Sequence, residues 1–74
     1  MYKAQNGFTL KDETTPGGWK IETAQDILTA LLYFPVFETV ADDFIWEALD
    51  QATEERKEYE NISDLAAYLS ENYI

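Results

Sequence analysis

Residues 39–58 read TVADDFIWEALDQATEERKE. At 100° per residue this stretch divides into two opposed faces. Ala41, Phe44, Ile45, Ala48, Leu49 and Ala52 gather on one side. Asp43, Glu47, Asp50 and Glu54 align on the other, at spacings of four, three and four. The pattern predicts a helix over 40–58, capped by Thr39, with its apolar side turned to a core and a row of carboxylates facing water. Glu58 extends the row if the helix lasts that far, and Trp46 stands at its margin. Arg56 and Lys57 fall in the last turns, where cations complement the negative end of the helix dipole.

Two more helices flank this one. On the C-terminal side, Ile62, Leu65, Ala66, Leu69 and Tyr73 form an apolar stripe and predict a helix over 62–72. Asn61 or Ser63 caps it, with Asp64 in its first turn. On the N-terminal side, Thr23 is a good N-cap, and Asp26 stands where a capping box has its acid. Ile27, Leu28, Leu31 and Leu32 then predict a helix over 24–34, whose end, LLYF, is apolar all round and expected to be deeply buried. Pro35 stops it, because the residue before proline avoids the α region. Val36–Glu38 is a connector, and the β-prone run VFETV admits a short strand there.

The first 22 residues read as β-structure. YKAQ-NG-FTLK places Asn-Gly between two β-compatible runs, the signature of a two-residue hairpin loop. Such a loop pairs Gln5 with Phe8, Ala4 with Thr9 and Lys3 with Leu10. DETTPGG is a loop, with Pro16-Gly17 suited to a type II turn. WKIE, residues 19–22, alternates and reads as a third strand. An isolated hairpin is marginal, so Tyr2, Phe8, Leu10, Trp19 and Ile21 are the candidates to cover the contact between sheet and helices. The expected fold class is α+β: a small antiparallel sheet, the N-terminal hairpin plus a third strand, packed on three helices in a single domain over 1–74.

Seventy-four residues hold only a small core, but aromatics are 15% of the chain and supply large buried areas without staples. There is no cysteine and no histidine. A disulfide framework is thereby excluded, as are thiolate or imidazole zinc sites and histidine-based nucleophilic triads. The EF-hand loop and the glycine-rich phosphate loop are missing. Asp42-Asp43 is better explained by the N-terminal dipole of the helix than by a metal. Asn61-Ile62-Ser63 matches a glycosylation sequon, but Asn61 is read as a cap. No catalytic residue, metal ligand or cofactor site is assigned. The opening MYKAQNG lacks a signal peptide's apolar stretch, and the run Ala30–Phe37 is far short of a membrane span. The expected compartment is the cytoplasm, that of the host cell if the protein is phage-encoded.

The net charge is −10, and it is unevenly spread. Residues 1–37 carry three lysines against four acids, net −1; residues 38–74 carry two bases against eleven acids, net −9. Direct contact with nucleic acid or an anionic membrane is disfavoured, and a basic partner is favoured. Asp43, Glu47, Asp50, Glu54, Glu58 and Trp46 are therefore the candidate partner-binding residues. From Asp43 to Glu54 the row is about 16 Å long, so its charges lie roughly 5 Å apart along the axis. That is somewhat sparser than the roughly 3.4 Å per phosphate of one DNA strand.

Small size, no catalytic groups and concentrated negative charge are similar to the phage-borne DNA mimics that block restriction enzymes, CRISPR effectors or repair glycosylases. The likeness is one of composition and not of motif, so it transfers no functional residue. It implies a non-enzymatic inhibitor that occupies the basic surface of a nucleic-acid-binding protein. The alternative is a small acidic interaction module — an adaptor, subunit, antitoxin-like partner or homodimer — that docks through Trp46 or the tyrosines Tyr59, Tyr68 and Tyr73 and uses its charge for solubility.

Overall fold

Helix boundaries in this chain follow from the caps. A computed structural model describes all 74 residues. Thr23 closes a capping box: its hydroxyl accepts from the Asp26 N–H, and the Asp26 carboxylate accepts from the N–H groups of Glu22 and Thr23 at 3.0 Å each. Helix α1 runs Ala24–Leu31. It ends three residues before the predicted limit, because Tyr33 and Phe34 donate to Ala30 and Leu31 in tighter i→i−3 bonds and Pro35 opens a 3₁₀ turn, Pro35–Phe37. That exit swings Leu32 and Tyr33 off the core. Leu31 is buried, Leu32 and Tyr33 are exposed and Phe34 is half-buried, so the expected burial of the whole run is corrected. No strand forms over residues 36–40.

Helix α2 runs Asp42–Glu55, shorter at both ends than 40–58. Its N-cap is Ala41, not Thr39, and no side chain caps it; Asp42 and Asp43 in the first turn answer the exposed N–H groups electrostatically. It stops because Arg56 adopts the left-handed conformation, φ 56°. Helix α3 runs Ile62–Asn72 as its stripe predicts, with the Asn61 side chain accepting from the Asp64 N–H at 3.0 Å.

The sheet departs further from expectation. Strands β1 (Tyr2–Lys3) and β2 (Thr9–Leu10) are antiparallel, but Tyr2 faces Leu10 and Lys3 faces Thr9. This is one residue away from the two-residue-loop register. Gly7 N–H donates to Ala4 C=O and Ala4 N–H to Phe8 C=O, leaving Gln5, Asn6 and Gly7 in the connection. Only Asn6 has positive φ. Gly7 is needed for space: a Cβ there would lie 2.2 Å from Thr53 Cγ2 and 2.8 Å from the Thr53 carbonyl oxygen.

The third strand is not WKIE but β3, Glu58–Tyr59, parallel to β2 with Thr9 facing Glu58 and Leu10 facing Tyr59. The sheet is therefore mixed, in the order β1-β2-β3. Trp19–Ile21 instead folds back on Glu13–Thr15 as a minimal hairpin of its own, with a single bridge between Thr14 and Lys20. Its positive-φ residue is Gly18, one place beyond the position a type II turn requires.

An α+β core results. Phe8, Leu10 and Ile21 from the β region meet Ile27 and Leu31 of α1, Phe37 of the 3₁₀ turn, Ile45 and Leu49 of α2, and Leu65 and Leu69 of α3. Tyr2 only half-enters this contact, and Trp19 is exposed.

Candidate partner-binding face on the long helix

On α2 the buried positions are Ile45, Ala48, Leu49 and Ala52. Ala41 and Phe44, expected on the same face, are exposed, Phe44 by 63%. The helical wheel explains why. The buried four centre on the side opposite the carboxylates, and Phe44 lies about a quarter turn from that centre, at the edge of what α1 and α3 can cover.

Asp43, Glu47, Asp50 and Glu54 all face solvent on α2. Some carboxylates elsewhere in the chain are paired. Glu13 takes the Met1 amine and Lys20, and Glu60 takes Lys11 at 3.2 Å. Asp26 and Glu55 accept hydrogen bonds. None of the four in the row has an ion pair or a side-chain hydrogen-bond partner. Glu58 is not part of this row. The left-handed turn at Arg56 takes the chain off the helix axis, and Glu58 lies in β3, where with Glu60 it adds to the field that raises the Lys11 pKa; the Glu60 hydrogen bond is the main cause.

Trp46 is half-buried. It lines a cavity of about 60 Å³ with Tyr2, Phe8, Leu49 and Asp50. Its indole is thus a wall of the core on one side and a neighbour of the row on the other. The cavity is far below the roughly 300–1,000 Å³ of small-molecule sites.

The tyrosines expected as an alternative anchor are otherwise engaged. Tyr59 is buried against Phe8 and Tyr68, with ring centroids 5.9 Å away in each case. Burial, with Tyr68 and Glu55 nearby, pushes its pKa up to about 12. The Tyr68 and Tyr73 hydroxyls both donate to Glu55, and Lys57 Nζ lies 3.9 Å over the Tyr68 ring. These bonds hold the Glu55 carboxyl below its usual range and raise the Tyr73 pKa. Glu55 follows Glu54 in sequence but points to the α3 side, a role that charge pattern alone does not mark.

No three acidic side chains converge as a metal-binding set, and no helix is long and apolar enough to cross a membrane. Comparison with known proteins yields no matching family, no matching curated protein and no matching solved structure.

Proposed function

We propose that the protein is a non-enzymatic, acidic inhibitor whose α2 carboxylates occupy the cationic groove of a nucleic-acid-binding protein. The observation that supports this is the unpaired row Asp43, Glu47, Asp50 and Glu54. Four carboxylates share one rigid helix face with no lysine or arginine folded over them. A fixed line of charge steers association with a basic groove and competes there with phosphates. An anti-restriction or anti-CRISPR role, phage-borne, fits such a surface. The absence of cysteine and histidine supports a binding role over catalysis.

The experiment is capture of the partner from the native cell, followed by titration across salt concentrations with and without that partner's nucleic acid. Binding should weaken steeply with salt and be displaced by the nucleic acid. Intact binding after the double reversal Glu47→Lys with Asp50→Lys would refute the proposal.

A second reading, an acidic adaptor or subunit that docks through aromatics, has one observation in its favour. Trp19 and Tyr33 are both about half exposed, at 46% and 48%, and meet edge to face with centroids 5.8 Å apart. Such a pair can anchor a protein partner. It predicts salt-tolerant association lost on Trp19→Ala.

A further inference from the structure

We infer that the open groove at the N-terminal end of α2 seats an apolar side chain carried on a basic segment of the partner. The inference deepens the proposed function and rests on α2 docking against a cationic surface. One exposed apolar residue needs no explanation. Here several line one open groove of about 390 Å³: Phe44, Val40, Ala41 and Ile74, with Thr39. Phe44 and Ile74 are 63% and 45% exposed, so the walls are formed but unfilled.

The rim defines the occupant. Glu47, three residues on, lies one turn from Phe44 on the helix surface, and Asp43 adjoins it in sequence. Glu38 precedes the groove in sequence. No lysine or arginine occurs between Ile21 and Glu55, or after Lys57. A wholly apolar ligand would leave this charge unanswered. A bare cationic strand would answer the charge and leave the apolar walls wet. Nucleic acid is repelled by it, and a second copy would bring its own net charge of −10 against it. The chemistry that uses both parts is an aliphatic or aromatic side chain flanked by lysine or arginine.

The test uses two synthetic peptides of equal positive charge, one of lysine and glycine, the other with leucine replacing its central glycines. The full-length protein is titrated with each by calorimetry and by NMR amide shifts. Burying the leucine should tighten binding about tenfold. The shift changes should centre on Val40, Phe44 and Ile74, and the ratio between the two peptides should persist at high salt. Phe44→Ser and Ile74→Ser, both at exposed positions, should each abolish the preference while leaving the circular dichroism spectrum unchanged. Equal affinity for the two peptides would overturn the inference, as would a preference unchanged in both variants. So would self-association that is lost in Phe44→Ser, since the occupant would then be a second copy. Failure of the row reads differently. If the Glu47→Lys, Asp50→Lys double variant binds the lysine-glycine peptide as tightly as wild type but still prefers leucine, the mimic reading falls and the groove stands.

Discussion

The Tyr68 hydroxyl lies 2.6 and 2.8 Å from the two oxygens of the Glu55 carboxylate, donating a bifurcated hydrogen bond from α3 to the end of α2. Tyr73 donates to the same group. Both bonds favour the ionised carboxylate, so its folded-state pKa is held below the unfolded value of 4.5. The contribution to stability is therefore complete above that value and is lost as pH falls through the lowered folded one. Asp26, held down chiefly by the Glu22 N–H and then by Thr23, behaves alike below 3.8. Acid changes the charge of the whole molecule, so the informative quantity is a difference between variants. Glu55→Gln should lower Tm by a few degrees at neutral pH, and its melting curves should converge on wild type as pH drops below about 4.5. A constant gap across that range would contradict the assignment.

Tyr59 presents the reverse case. Its hydroxyl is buried and has no hydrogen-bond partner. The folded pKa rises from 10.0 to about 12, because burial disfavours the phenolate. Stability from the neutral form is thus present below pH 10 and is lost as pH climbs from there towards 12. Tyr59→Phe removes an unsatisfied polar group and should raise stability by about 1 kcal/mol at neutral pH. It should also move the alkaline unfolding midpoint upward. Tyrosinate absorbance and circular dichroism, followed together through the transition, check both outcomes.

Two glycines are required for different reasons, and alanine separates them. At Gly7 the new methyl would strike Thr53, including its backbone oxygen at 2.8 Å, so the 4–8 turn must lift off α2. Overpacking of this kind costs about 1–3 kcal/mol. Gly18 meets nothing within 4 Å, but its φ is 90°, which an L-residue adopts only with strain. Gly18→Ala should cost about 1 kcal/mol. Thr53→Ser should recover part of the Gly7→Ala loss and none of the Gly18→Ala loss, as read from denaturant midpoints of the four variants.

What the sequence disclosed tracks how local each determinant is. Thr23 with Asp26, and Asn61 with Asp64, are decided within three residues, and both helix starts are legible. The parallel pairing of Leu10 with Tyr59 is not, because it joins segments 49 residues apart and β3 is only two residues long. WKIE alternates as a strand should, yet finds its partner in Glu13–Thr15 next door. Asn-Gly signals a turn correctly but misstates the register, since Gly7 answers to Thr53 rather than to φ. In the candidate site, the spacing of Asp43, Glu47, Asp50 and Glu54 places them on one helix face. Exposure of Phe44 is invisible to periodicity, because a residue at the edge of an apolar stripe is covered or not according to neighbours in other elements.

Arg56 is the reason Glu58 leaves the row. No glycine marks this helix end, and a β-carbon in the left-handed region costs roughly 1–2 kcal/mol. Arg56→Gly should stabilise the chain by about 1 kcal/mol, seen as a higher Tm with unchanged helix content. If the variant is instead destabilised, the arginine side chain contributes contacts that outweigh its backbone strain.

The unpaired row sets binding against stability. Glu47 faces Asp43 one turn before and Asp50 one turn after, and Asp50 also faces Glu54. Each like-charge pair at this spacing costs about 0.2–0.5 kcal/mol. Glu47→Gln with Asp50→Asn relieves all three contacts and should stabilise the isolated protein by roughly 0.5–1 kcal/mol at low ionic strength. Added salt should shrink that gain, because the charges are exposed and screened. The same variant should bind the cationic partner more weakly and with a shallower salt dependence, since fewer counterions are exchanged. Melting curves at two salt concentrations, set beside the lysine-glycine peptide titration, measure both quantities on one sample. If the neutralised protein gains no stability and keeps its affinity, the carboxylates are neither crowded nor engaged.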